Sequence, residues 1–169
     1  MTGKWHRVLG VMAGIGASAI LYSQGTIPSD VTGIATVTTM VSAYASSVLP
    51  DIDLIPDGQK WGHLTTFLAF PVSSASLLVS AFIDKILRRG KKEHRAITHS
   101  LTGLAIFTAS ALIPVTTFSN APNWIISSYI IGGVAGYLSH LVGDMFTGYG
   151  ISWFYPFKKK RSSLRELLK

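Results

Sequence analysis

The chain has 169 residues, of which 48% are hydrophobic and 14% charged, and it contains no cysteine. With a mean hydropathy of +0.39, this composition excludes a disordered chain and argues against an ordinary soluble domain, in which about a quarter of the residues are charged; the missing cysteines exclude disulfides, thiolate metal sites, iron–sulfur clusters and thiol catalysis. The net charge of +7 suits either nucleic acid or an anionic membrane surface, and the placement of the charges decides between the two.

Five apolar runs follow one another: Val8–Ile27, Val31–Leu49, Leu64–Ile83, Leu101–Phe118 and Trp124–Phe146. None contains Lys, Arg or Glu, and Asp144 is the only acidic residue inside any of them. Each is near the roughly 20 residues needed to cross the hydrocarbon. Their richness in Ser, Thr, Gly and Ala suits helices that pack on each other in a bilayer. The first run follows a short basic start, and Ala17-Ser18-Ala19 resembles a signal-peptide cleavage site. The apolar stretch continues past it to Ile27, so an uncleaved span is expected.

The basic residues lie between and beyond these runs. Lys4 and Arg7 open the chain, Lys85, Arg88, Arg89, Lys91, Lys92 and Arg95 form one cluster, and Lys158, Lys159, Lys160, Arg161, Arg165 and Lys169 form the tail 158–169. Flanking clusters of this kind mark cytoplasmic ends, so membrane lipid is the expected partner and nucleic acid is not. Tyr149, Trp153, Phe154, Tyr155 and Phe157 precede the tail and look like an interfacial aromatic belt.

Ionisable groups gather at the ends of the apolar runs: His6 before the first, Asp51 and Asp53 after the second, His94 and His99 before the fourth, His140 and Asp144 in the last turns of the fifth. At a helix centre such groups cost about 2.5–3.5 kcal/mol each and usually face a cavity with partners. Imidazole and carboxylate are the donor set of zinc, manganese or iron. His140 and Asp144 are four apart and share a helix face. Stepping by four gives Gly136 and Gly132 from His140, Gly10 and Gly14 from His6, Gly103 from His99, and Ser47 and Ala43 backward from Asp51. The expectation is that four small-residue seams face each other and bring the ligands together at one end. His6 and Asp51 close one hairpin, His99 and His140 a second. For the ends to meet, Leu64–Ile83, broken by Pro71, must be re-entrant or interfacial rather than a single crossing. The expected fold is therefore all-α, a single membrane-embedded domain over 1–169. It is a polytopic bundle of four transmembrane helices plus one re-entrant or interfacial segment. His63, outside the pattern, reads as an interfacial or capping histidine.

His6 before a Gly-rich span, Leu49-Pro50-Asp51-Ile52-Asp53, His94-Arg95-x-x-Thr98-His99-Ser100, and Ser139-His140-x-x-x-Asp144 followed by Thr147-Gly148-x-Gly150-Ile151-Ser152-Trp153-Phe154-Tyr155-Pro156 together resemble the YdjM-like family. That family comprises small bacterial inner-membrane proteins described as metal-dependent hydrolases, some under LexA control. The resemblance runs from His6 to Phe157, with Trp5 where the family usually has Thr. It implies a hydrolase without supplying a substrate. The candidate metal ligands are His6, Asp51, Asp53, His94, His99, His140 and Asp144. A catalytic zinc takes three protein ligands, so this set suits one or two divalent ions, zinc first and manganese as the alternative. The expected catalytic residues are Asp51, Asp53, His99 and Arg95, with Arg95 on a substrate phosphate and Thr98, Ser100 and Thr147 orienting ligands. The expected substrate is an anionic phosphoester, a lipid headgroup or lipid-linked phosphate, met at the cytoplasmic face of the inner membrane. Two other classes fit less closely: a non-catalytic membrane interaction protein with a structural metal, and an ion transporter.

Overall fold

The computed structural model describes residues 3–54, 97–118, 120–147, 150–157 and 163. The run Leu64–Ile83, the basic cluster 85–95 with His94 and Arg95, His63, Tyr149 and all of the tail 158–169 except Ser163 lie outside the described residues.

The regular structure of the described residues is helical. Helix α1 runs over Gly3–Ser23, a 3-10 turn over Ser29–Val31 leads into α2 at Thr32–Ser46, and a second 3-10 turn covers Leu49–Leu54. Helices α3, Leu101–Phe118, and α4, Asn123–Met145, follow. Local chemistry sets the limits. Gly25 has φ of 69°, its amide bonds to Tyr22 O and that of Thr26 to Leu21 O, which is a Schellman closure of α1 requiring a residue without a side chain. Ser100 caps α3, its hydroxyl accepting from the Gly103 amide at 3.2 Å. Pro50 falls just after α2, where it cannot extend the helix and the chain tightens into 3-10 geometry.

Helices α1, α2 and α4 pack together along three of the four seams. A Cβ at Gly10 would lie 2.6 Å from Ser47 Cβ, one at Gly14 2.9 Å from Met40 Cα, and ones at Gly132 and Gly136 would overlap the carbonyl oxygens of Thr39 and Ala43. Backbone therefore approaches backbone. The fourth seam is a correction: Gly103 lies under Ile97 O and the Tyr137 hydroxyl rather than against α1 or α2. Helix α3 instead docks through Phe107 and Ala111 into a cluster with Ala45, Leu49, Tyr137, Leu141 and Ile151.

Where α1, α2 and α4 meet, small and polar residues lie inside, and large apolar ones lie on the outer faces. Ser18, Thr39, Ser42, Ser46, Ser47 and Ser128 are buried, while Met12 and Ile34 are 63% and 64% exposed among many large hydrophobics on the outer faces. Inner hydroxyls find partners across helices, Ser18 with Thr36 at 2.8 Å and Ser42 with Tyr129 O. Water would penalise this inversion, whereas lipid favours it. Two stretches, Ser29–Asp51 and Asn123–Met145, are long and apolar enough to cross a membrane, and Leu101–Ile113 is a shorter apolar helix. Helix α1, of 21 residues, is less apolar because Lys4, His6 and Arg7 fall in its first turns.

Candidate metal centre

Two helix ends and two turns converge at one end of the bundle. Helix α1 brings His6 in its first turn, the 3-10 turn after α2 brings Asp51, the turn before α3 brings His99, and the last turns of α4 bring His140 and Asp144. The glycine seams are the reason: the register that places Gly136 on Ala43 and Gly10 on Ser47 carries one turn further to the ligands.

The distances are short and the burial deep. His6 Nε2 lies 3.5 Å from Asp144 Oδ1, and His99 Nε2 lies 3.0 Å from Asp51 Oδ1 and 3.4 Å from Asp144 Oδ2. His140 Nε2 is 3.7 Å from both Asp51 Oδ2 and Asp144 Oδ2. The His6 ring stacks on His140 at 3.9 Å with a 20° tilt, and His99 meets His140 edge-on at 5.3 Å. All three imidazoles and Asp144 are 1% exposed or less, whereas the Asp51 side chain keeps 28%. Burial holds the His99 imidazole below its usual pKa of 6.5, the adjacent His140 acts in the same sense, and the Asp51 carboxylate opposes both.

His140 bears most directly on whether a cation fits the cluster. Its Nδ1 donates to Ser47 O at 2.7 Å. That bond fixes the ring with Nε2 pointing inward. That Nε2 is buried with no hydrogen bond, facing two carboxylate oxygens. A proton between them would draw nitrogen and oxygen to about 2.8 Å. A zinc ion with bonds of about 2.0–2.2 Å would instead set its ligands about 3.3–3.6 Å apart on a tetrahedron, close to the 3.4–3.7 Å of four of these pairs; the fifth, His99 to Asp51 at 3.0 Å, is a direct hydrogen bond. His6, His140 and Asp144 form one group that could hold an ion, and Asp51, His99 and His140 a second. The two share His140, whose single inward nitrogen serves only one ion at a time.

A family model described as YdjM inner membrane protein matches residues 1–168. The chain belongs to that family. No curated protein and no solved structure matched it.

Of the seven ligands expected in this YdjM-family chain, the structure gathers His6, Asp51, His99, His140 and Asp144. Asp53 lies in the 3-10 turn with Asp51, its side chain outside the described residues, as are His94 and Arg95. Among the expected orienting residues, Thr98 Oγ1 lies 3.2 Å from His99 Nδ1. Ser100 is spent on the helix cap, and Thr147 donates to the backbone oxygen of Asp144, not to its carboxylate. Three supports were not expected. The Ser47 carbonyl orients His140, and the Tyr137 hydroxyl holds Thr98 O. The supposed belt also straps the His99 turn, with Leu101 N bonding Trp153 O at 2.9 Å and Thr102 Oγ1 bonding Tyr155 O at 2.6 Å. Phe154 and Phe157 of that segment are exposed, while Tyr155 is buried. Backbone acceptors leave no trace in composition. The Tyr137 signal was present in the sequence, three residues before His140 on the same helix face.

Proposed function

We propose that the protein is a membrane-embedded, metal-dependent hydrolase acting on a phosphoester at the cytoplasmic face of the inner membrane. The observation that carries it is His140 Nε2, buried without a hydrogen bond among the described residues and facing two carboxylates. Such a group calls for a cation. Three neutral imidazoles and two carboxylates suit zinc, with manganese as the alternative. Either His6, His140 and Asp144 or Asp51, His99 and His140 would hold the ion, three protein ligands with a position left open for water or substrate. A divalent ion there supplies charge for a phosphoryl oxygen and acidity for a water molecule. Asp51, the one of these five residues with an exposed edge, would take the proton from water in this reading. Asp53 and Arg95 remain catalytic candidates by their place in the sequence, the Asp53 side chain and all of Arg95 lying outside the described residues. The basic Lys4 and Arg7 beside His6 favour a cytoplasmic orientation.

One observation favours a second reading. Four of the five ligands are buried at 1% exposure or less, as in a closed structural site. Metal analysis of the detergent-purified protein beside Asp51→Ala and His140→Ala tests the centre. Stoichiometric zinc or manganese, lost from both variants, is expected, and its absence from the wild type would remove the hydrolase. Phosphate release from lipid and soluble esters then separates catalysis from structure, since bound metal with no turnover on any ester leaves the structural role.

A further inference from the structure

Arg7 follows His6 on α1, and its guanidinium carbon lies 5.7 Å from the centroid of the Tyr44 ring on α2. Tyr44 is one turn before Ser47, whose hydroxyl bonds Tyr44 O at 2.8 Å and whose carbonyl orients His140. Arg7 therefore sits on the α1–α2 side of the ligand cluster. Its Nε is buried and makes no hydrogen bond. The carboxylates of the cluster, Asp51 and Asp144, are engaged with the three histidines. A buried donor without an acceptor is destabilising.

Charge balance points the same way. A divalent cation with two carboxylates and neutral imidazoles is neutral as a unit. Arg7, next to His6 in sequence, adds one positive charge with no ion pair among the described residues. The pair has room for one negative charge, and a phosphodiester carries one. A guanidinium lying against a ring is held in a fixed plane, which suits the two-pronged bond to phosphate oxygens.

Resting on the hydrolase reading, we propose that Arg7 is the anion-binding residue of this centre, seated on Tyr44 so that its guanidinium takes the phosphate of an ester held at the metal cluster. The recognised chemistry is a phosphate monoanion, whether of a lipid headgroup or of a free ester.

The test is a calorimetric titration of the purified protein in detergent, metal-loaded and metal-free, with dimethyl phosphate in one arm and monomeric short-chain phosphatidylglycerol, also a phosphodiester monoanion, in the other. The wild type binds in at least one arm, and the arm that binds tighter names the source. Arg7→Ala weakens that binding about tenfold or more, Arg7→Lys and Tyr44→Ala weaken it less, and Lys4→Ala, an exposed neighbouring charge, leaves it unchanged. Metal content stays at the wild-type level in all four variants. Wild-type affinity in Arg7→Ala overturns the proposal. So does loss of metal from both Arg7 variants, which would make Arg7 a support for His6. A wild type without metal defeats the hydrolase reading alone, because phosphodiester binding by the metal-free protein still tests Arg7.

Discussion

His99 has two hydrogen-bonding states open to it, and they differ in where its proton sits. With the proton on Nε2 it donates to Asp51 and accepts from Thr98 at Nδ1; with the proton on Nδ1 it donates to Thr98 and frees Nε2 for a metal. Thr98 can serve either state because a hydroxyl both gives and takes. Replacing Thr98 by Val removes the partner that steadies the metal-binding tautomer, and about tenfold weaker metal affinity is expected in competition with a chelator; unchanged affinity would show that the hydroxyl is incidental. The depressed pKa of His99 fixes a pH dependence. In the folded protein the ring stays neutral below its ordinary 6.5, while the unfolded chain takes up a proton there. Stability of the metal-free protein therefore falls as pH drops below about 6.5, and thermal melts from pH 7.5 down to 5.5 should show a declining midpoint that His99→Gln flattens. At this scale the donors were legible in the sequence because His and Asp are rare in apolar runs. The carbonyl of Ser47 was not, since every residue has one.

At the scale of elements, the glycines divide into two kinds. Gly132 and Gly136 meet the backbone of α2, whereas Gly16 and Gly33 face open space. Gly136→Ala should separate α2 from α4, destabilise the fold by about 1–3 kcal/mol and lower metal occupancy with it, because the same register positions His140 over Ser47. Gly16→Ala should melt like the wild type. Equal melting of both variants would refute the seam as the positioning device. Stepping by four from each ligand recovered α1, α2 and α4, since helical spacing is a local property. It failed for Gly103 because that glycine serves the start of α3, where the Ile97 carbonyl and the Tyr137 hydroxyl crowd it. The second span was expected to run to Leu49, but the helix ends at Ser46, and the tight turn around Pro50 swings Asp51 into the cluster.

For the whole molecule, the contact of Asp51 with His99 means that the chain leaves and rejoins the described part at one end. That satisfies the topological demand made by the ligands, while Leu64–Ile83 itself lies outside the described residues. Sidedness is directly testable, because the chain has no cysteine of its own. Lys4→Cys, at the ligand end, should resist a membrane-impermeant maleimide in intact cells and react after lysis, and Gln24→Cys, beyond the far end of α1, should react from outside. The reverse pattern would turn the site outward and remove a cytoplasmic substrate. A transport path fares poorly against this architecture, for below the cluster the helices touch backbone to backbone at Gly14, Gly132 and Gly136. Overall hydropathy announced a membrane helical bundle early; what it could not convey is how the helices sort their faces, which depends on partners far away in sequence.

The donors of the cluster are drawn from His6 at one extreme and Asp144 at the other. A growing polypeptide thus offers no complete cation pocket until α4 has entered the bilayer. Ion capture would then be a late event in biogenesis, clamping the earliest-made helix to one made long after it and marking the molecules whose assembly is finished.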